Sequence, residues 1–164
     1  MTTTVTPTAY ILVGAPGSGK STWGKKLAES KPNLVRLCPD EFRAKFGWGE
    51  GDQSVSPKAF AATRSGMVDA LIMGKDVLID ATSMNRKARK DFLDIAKKYN
   101  AKKVAVVFEA TRETLIERNK KRGEEGGRVV PTDVIDRMLG KYEVPTHADF
   151  DEVVFVSRLV SNSH

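Results

Sequence analysis

The chain has 164 residues, 40% of them hydrophobic and 29% charged, which are the proportions of one globular domain and exclude a disordered chain. The apolar runs are too short to span a membrane. The single cysteine, Cys38, excludes an internal disulfide and suits a reducing cytoplasm, and no Cys/His cluster is present for structural zinc. The formal charge of +6 at pH 7 favours anionic partners such as nucleotides or nucleic acid, although solubility alone explains it equally well.

Short β-branched runs alternate with amphipathic stretches along the chain, and this alternation predicts a parallel α/β sheet. Residues 1–8 are Thr-rich and uncharged, and we expect a flexible leader there, followed by one domain over 9–164. The predicted elements in chain order are strand 10–13, helix 19–30, strand 33–37, helix 56–73, strand 77–79, helix 85–99, strand 103–108, helix 111–121, helix 131–140 and strand 153–156. We therefore predict a three-layer α/β domain with a mostly parallel five-stranded sheet flanked by helices.

Two of these helices carry more detailed expectations. Ser56 is predicted to cap helix 56–73, with Pro57 at its first helical position and Gly74 closing it. Its predicted core positions are Phe60, Met67, Val68, Leu71 and Ile72. In helix 85–99, the basic side chains are interpreted as a solvated face; they are Arg86, Lys87, Arg89, Lys90, Lys97 and Lys98.

Residues 14–21, GAPGSGKS, match the phosphate-binding pattern G-x-x-x-x-G-K-[ST] at every required position, between a predicted strand and a predicted helix. Glycines allow the backbone N–H groups to surround phosphates, and the helix N-terminus adds its positive end. Lys20 is expected to reach the β- and γ-phosphates of ATP, and the Ser21 hydroxyl to ligate Mg²⁺. The predicted ATP-binding residues of this loop are Gly14, Pro16, Gly17, Ser18, Gly19, Lys20, Ser21 and Thr22.

Other sequence features favour phosphoryl transfer over nucleotide hydrolysis. The guanine-binding pattern Asn-Lys-x-Asp is absent, since Asn119 and Lys120 are followed by Lys121 and Arg122. Asp80 ends an apolar run as a magnesium-binding aspartate would, but Ala81 follows it instead of the glutamate that activates water in many ATPases.

Candidate acceptor residues follow the second and third predicted strands, at the sheet edge where ligands of parallel sheets bind. Asp40 can accept the proton of an attacking hydroxyl, and Arg43, one helical turn later, can hold a phosphate of the acceptor. The same spacing is explained equally well by a helix cap with a surface ion pair between the two residues.

A third cluster lies between two predicted helices, where Arg118, Arg122 and Arg128 flank a Gly-rich segment, 123–127. We expect a lid over residues 118–130 that closes on the polyphosphate, with arginines that neutralise charge in the transition state. An exposed charged loop is the alternative.

Four segments together resemble the kinase domain of bacteriophage polynucleotide kinase. They are GAPGSGKSTW (14–23), PDEFR (39–43), LIDAT (78–82) and RNKKRGEEGGRVVP (118–131). The resemblance extends over roughly residues 10–156, and the Asp-x-x-Arg pair after the second strand is more specific than the phosphate-binding loop.

The resemblance implies that Asp40 is the general base toward a 5′-hydroxyl of DNA or RNA and that Arg43 binds the phosphate on the acceptor's 3′ side. Asp80 would support Mg²⁺ or the acceptor side of the site. Three arginines receive the remaining roles: Arg122 and Arg128 in the lid, and Arg118 near the adenine.

Several alternatives stay open at this stage. The phosphatase domain that accompanies well-known members, with its Asp-x-Asp motif, has no counterpart before His164, so 3′-end processing is not implied. Related kinases of gluconate, antibiotics and toxins share the same skeleton, which leaves a small hydroxylated molecule as an alternative acceptor. A non-catalytic nucleotide-binding regulatory subunit is a further alternative. We expect a cytoplasmic protein, and a phage-encoded one acting in the host cytoplasm is compatible with the resemblance.

Overall fold

A computed structural model describes residues 6–49 and 53–156 of the chain. Its strands are β1 (Thr8–Val13), β2 (Leu34–Leu37), β3 (Asp76–Ile79), β4 (Lys102–Val107) and β5 (Glu152–Phe155). Its helices are α1 (Lys20–Ser30), α2 (Pro39–Phe46), α3 (Ser56–Ile72), α4 (Arg86–Lys98), α5 (Arg112–Glu124) and α6 (Thr132–Gly140), with a 3₁₀ turn at Gln53–Val55. None of the helices in the described ranges has the length and apolar character needed to cross a membrane.

The five strands form one parallel sheet in the order β2-β3-β1-β4-β5. The central strand β1 is apolar because both of its faces are covered, and Ile11, Leu12 and Val13 are fully buried. One face packs against α3 and α4 through Met67 and Phe92, and the other carries α1. The predicted three-layer α/β fold with a five-stranded parallel sheet is confirmed.

The sheet order places the carboxyl ends of β1, β2 and β3 side by side. Leu37 pairs with Ile79, and Ile79 pairs with Ile11, so the segments that follow these three strands leave the sheet at one edge. The loop after β1, helix α2 and the residues after β3 therefore surround a common space, as ligand sites of parallel sheets require.

The start of α3 and its last core position differ from the expectation. Ser56 is the first helical residue and forms no capping bond; its hydroxyl instead donates to Gln53 Oε1 of the preceding 3₁₀ turn at 3.0 Å. Ile72, predicted to face the core, is the last residue of α3 and is 65% exposed. The predicted end of this helix at Gly74 is confirmed, since Gly74 has a φ of 73° and its N–H donates to the Leu71 carbonyl.

The interpretation of every basic residue of α4 as solvated is wrong for Arg89, which is fully buried. Its Nε donates to the Ser83 carbonyl at 2.8 Å, and its Nη2 donates to the carbonyls of Met84 and Glu143. A guanidinium offers five N–H donors, which lets one side chain satisfy several buried carbonyls. Arg89 thereby joins the loop after β3 to the segment after α6.

The limits of the leader, the domain and the lid stay predictions. β1 begins at Thr8, the last residue of the predicted leader, because Thr8 pairs with Lys102 of β4; its N–H also donates to Asp76 Oδ1 at 2.8 Å. Residues 1–5 of that leader and 157–164 of the predicted domain lie outside the described residues. Helix α5 continues through Glu124, so the first two residues of the Gly-rich segment 123–127 are helical.

Candidate functional site

The loop between β1 and α1 has the backbone that the phosphate-binding pattern predicts. Gly19, which precedes the helix, has a φ of 96°, a left-handed conformation that glycine adopts without steric cost. A Cβ at Gly14 would lie 2.5 Å from Ser18 Oγ and 3.0 Å from the Phe108 Cβ, so any larger residue would displace the loop. The Gly14 N–H donates to the Thr82 carbonyl at 3.0 Å, which ties the loop to the segment after β3.

Lys20, the first residue of α1, is only 8% exposed. Burial lowers the pKa of its ammonium group, and attraction to Asp80 acts in the opposite direction. Arg122 and Arg128 lie near enough to lower the pKa of Lys20 further. A buried lysine at a helix N-terminus, with two arginines nearby, is a place where anionic phosphate oxygens are stabilised.

A hydroxyl and a carboxylate meet beside Lys20. Ser21 Oγ donates to Asp80 Oδ1 at 3.2 Å, and Asp80 is nearly fully buried at the end of β3. Because the hydroxyl uses its hydrogen on the carboxylate, its lone pairs stay available for a cation. A hard cation such as Mg²⁺ prefers this kind of oxygen donor and completes its shell with substrate phosphates and water.

The donor set of the loop fits the expected phosphates and cation. The Lys20 ammonium at the start of α1 is a counter-charge for phosphate oxygens, and the oxygens of Ser21 and Asp80 suit Mg²⁺. Among the described residues, Ser18 Oγ and Arg89 Nη1 are the buried side-chain polar atoms without a hydrogen-bond partner, and Ser18 Oγ lies against Gly14 in the body of the loop. The residues present therefore fit both ATP and Mg²⁺.

Arg36 is a site residue that the sequence analysis missed. It lies on β2, and its Nε and Nη2 donate to Asp80 Oδ2 at 3.0 and 2.6 Å, while Nη1 contacts the Glu41 carboxylate on α2. Burial alone would lower the pKa of Arg36, but its hydrogen bonds and charge attraction to Asp80, joined by Glu41, raise it. A charged residue inside a short strand of a parallel sheet was the signal that could have identified it.

The candidate acceptor residues lie on the first turns of α2, with Asp40 paired to Arg43. Asp40 also lies 3.8 Å from Arg128 Nη1, measured at its Oδ2. The capping alternative is not seen, because Cys38 is the N-cap residue and makes no side-chain capping bond. The ion-pair part of that alternative is present, and Arg43 is 7% exposed while Asp40 is half-exposed.

The arginines of the predicted lid approach the phosphate-binding loop from α5 and the segment after it. Arg118 Nη1 donates to the Gly17 carbonyl at 3.0 Å. Asn119, which the sequence analysis did not single out as a site residue, exchanges two hydrogen bonds with the Val130 backbone, at 2.6 and 2.8 Å. This clamp fixes the chain that follows α5, so that Arg128 faces the cleft.

One cleft of about 740 Å³ collects most of the predicted site residues. Those that line it are Pro16, Gly17, Gly19, Lys20, Ser21, Thr22, Asp40, Arg43, Arg122 and Arg128. The other predicted residues lie outside its lining: Gly14 and Ser18 in the body of the loop, Asp80 behind Ser21, and Arg118 against Gly17. Its wall also includes Arg36, Cys38 and Gln53, none of which was assigned to the site from the sequence.

Burial raises the pKa of the Cys38 thiol to about 11, with a further contribution from the nearby Asp80 carboxylate. The thiol is therefore neutral at physiological pH and serves the cleft as a small apolar wall rather than as a nucleophile.

Comparison with known proteins gives a family match over most of the chain. A family model described as an AAA domain, AAA_33, matches residues 10–145. The L-seryl-tRNA(Sec) kinase of Methanococcus maripaludis is 30% identical over 142 residues, which are 82% of this chain and 52% of that protein. The chain thus spans about half the length of this curated relative.

Solved structures with the same fold include proteins of several activities. A chain of the Pnkp1/Rnl/Hen1 RNA repair complex has a TM-score of 0.75 and 30% identity, covering 85% of this chain and 45% of that one. A gluconokinase from Sinorhizobium meliloti 1021 has a TM-score of 0.60 and 18% identity, covering 91% of this chain and 81% of that one. The second likeness concerns the fold alone.

Proposed function

The chain belongs to the AAA_33 family of P-loop domains, and from this premise we propose that it is a kinase that transfers the γ-phosphate of ATP to the 5′-hydroxyl end of DNA or RNA. The observation that carries the proposal is the shared cleft, in which Lys20 and Ser21 face the acceptor pair Asp40 and Arg43. A hydrolase has no need of a second, carboxylate–arginine site opposite its phosphate-binding loop.

On the donor side, Lys20 binds the β- and γ-phosphates as a point charge, and backbone N–H groups of the loop hold their oxygens. Ser21, oriented by Asp80, would hold Mg²⁺, which when bound neutralises the charge of the polyphosphate. Arg122 and Arg128 stabilise the negative charge that spreads over the transferred group in a loose transition state.

On the acceptor side, Asp40 accepts the proton of the 5′-hydroxyl as its oxygen bonds to the γ-phosphorus and the bond to the β-phosphate oxygen breaks. When the acceptor binds, Arg43 releases Asp40 and makes a bidentate contact with the phosphate on the 3′ side of the terminal nucleoside. That exchange leaves the Asp40 carboxylate directed at the hydroxyl rather than at Arg43, so that acceptor binding and base activation are coupled.

The Pnkp1/Rnl/Hen1 complex supports a nucleic-acid acceptor, because the chain that this protein resembles is 30% identical and belongs to an RNA repair complex. The same fold also occurs in a gluconokinase, so a kinase of a small hydroxylated molecule such as a sugar, nucleoside or antibiotic is the second candidate. A regulatory nucleotide-binding subunit would use the donor side alone and leave the acceptor pair without a role.

Transfer from γ-labelled ATP to a panel of acceptors tests the proposal. We expect label on 5′-OH oligonucleotides and on a nucleoside 3′-monophosphate, and little on the bare nucleoside or on gluconate. Arg43→Ala should raise KM for the oligonucleotide, and Arg43→Lys should restore only part of the loss because the fork geometry is missing. The small-molecule candidate would be established instead if a nucleoside or sugar is phosphorylated as well as the oligonucleotide and Arg43→Ala does not change the preference between them.

A further inference from the structure

The partly buried side chain of Arg36 connects the donor side of the cleft to the acceptor helix. Its side chain is 12% exposed, and it contacts both Asp80, at the end of β3, and Glu41, in the first turn of α2. Two of its N–H groups converge on one oxygen of Asp80 at 2.6 and 3.0 Å. A planar fork held at two points orients its partner more tightly than a single charge does.

The other oxygen of Asp80 accepts the Ser21 hydroxyl, so the carboxylate is held from both sides. If Asp80 rotates, the Ser21 hydrogen loses its acceptor, and the lone pairs of the hydroxyl no longer face the cleft. The orientation of the proposed magnesium-binding hydroxyl is therefore set through Asp80 by Arg36.

The contact with Glu41 extends this chain of groups to the acceptor side. Glu41 is adjacent in sequence to Asp40, and both lie in the first turn of α2. Arg36 is thus a direct side-chain connection between Asp80, which follows β3, and the helix that carries the proposed base.

We propose that Arg36 is a positioning residue that fixes Asp80, and through it the Ser21 hydroxyl, for the binding of magnesium with the nucleotide, while Glu41 ties the same guanidinium to the acceptor helix. The proposal rests on the proposed function for the use of ATP and Mg²⁺, but it does not depend on which acceptor is phosphorylated. Residues that orient metal ligands in this way typically change metal affinity by about 10- to 100-fold when they are removed.

The test is calorimetric titration of the intact protein with a non-hydrolysable ATP analogue, with and without Mg²⁺. In the wild-type protein the magnesium-dependent gain in affinity is measured first. Arg36→Met is expected to reduce that gain about tenfold or more, and Arg36→Lys to restore only part of it. Lys26→Met, which removes the same charge from an exposed position of α1, should leave the gain unchanged.

A double-mutant cycle separates orientation from general destabilisation. Because Arg36 acts through Ser21, Arg36→Met added to Ser21→Ala should cost little more than Ser21→Ala alone. Additive losses in a folded double variant, or an unchanged magnesium gain in a folded Arg36→Met variant, would overturn the proposal. If Arg36→Met does not fold, the same double-mutant cycle is carried out with Arg36→Lys, and the same two outcomes would overturn the proposal.

These outcomes are distinct from a failure of the proposed function. Wild-type protein that gains no affinity from Mg²⁺ would overturn both the ATP·Mg²⁺ role and the role of Arg36. Wild-type protein that gains affinity and loses it in Arg36→Met, but phosphorylates no oligonucleotide, would leave Arg36 established and refute the nucleic-acid acceptor.

Discussion

Replacement of Arg89 by methionine should destabilise the fold far more than any other loss of charge on α4. Arg89 is fully buried and donates to three backbone carbonyls, those of Ser83, Met84 and Glu143. Hydrogen bonds to a charged group contribute about 1.5 to 3 kcal/mol each, and removal of the charge recovers part of its desolvation cost. The three carbonyls would then be buried without a donor, at a cost of about 1 to 3 kcal/mol each, so after that recovery we expect a net loss of about 3 to 5 kcal/mol.

For a domain of this size, that loss corresponds to a fall in Tm of roughly 6 to 20 °C. Thermal unfolding followed by circular dichroism measures it, and Lys87→Met on the exposed face of the same helix is the matched control. The control should change stability by no more than about 0.5 kcal/mol, as surface substitutions generally do. If Arg89→Met and Lys87→Met have the same Tm, the buried hydrogen bonds of Arg89 contribute nothing to stability, and the interpretation of Arg89 as part of a solvated face would be correct.

Three further substitutions or titrations follow from the cleft. Lys20→Ala should abolish phosphoryl transfer, because the β- and γ-phosphates lose their direct cation, and Lys20→Arg should not rescue it; near-wild-type turnover of either variant contradicts the assignment. Asp40→Asn should lower kcat by a factor of roughly 100 or more while ATP affinity and Tm stay nearly unchanged, since the Asp40–Arg43 pair is half-exposed at Asp40; a parallel loss of Tm and activity would indicate a structural role instead. Cys38 should react slowly with iodoacetamide until the pH approaches 11, because burial raises the pKa of its thiol from 9.0 to about 11 and the reactive thiolate forms only above that pH; a rate that levels off near pH 9 contradicts this.

The sequence alone predicts the framework of the fold well, for local reasons. The apolar runs that became β1, β3 and β4 are buried on both faces of the sheet, and such strands have a composition that few other elements share. The phosphate-binding loop is equally local, because its glycines, its lysine and its hydroxyl are consecutive in the chain.

Contacts between distant residues explain what the sequence could not predict. Arg89 and Lys87 are two positions apart in one basic helix, and only the folded chain shows that three carbonyls surround the first of them. Arg36 is a site residue because Asp80, 44 positions later, ends the neighbouring strand. The capping role predicted for Ser56 failed for a local reason, since its hydroxyl donates to Gln53 in a 3₁₀ turn that the sequence pattern did not indicate. The lid limits, the site roles and the cytoplasmic location stay predictions.

Identification of the phosphorylated product tests the central claim most directly. The wild-type protein is incubated with γ-labelled ATP, Mg²⁺ and 5′-OH oligonucleotides of DNA or RNA, and the labelled product is digested to mononucleotides. The label should be recovered as the 5′-monophosphate of the terminal nucleoside, and Lys20→Ala should give none. Label that appears only as inorganic phosphate, or only on a small hydroxylated molecule offered in competition, would contradict a kinase of nucleic-acid ends.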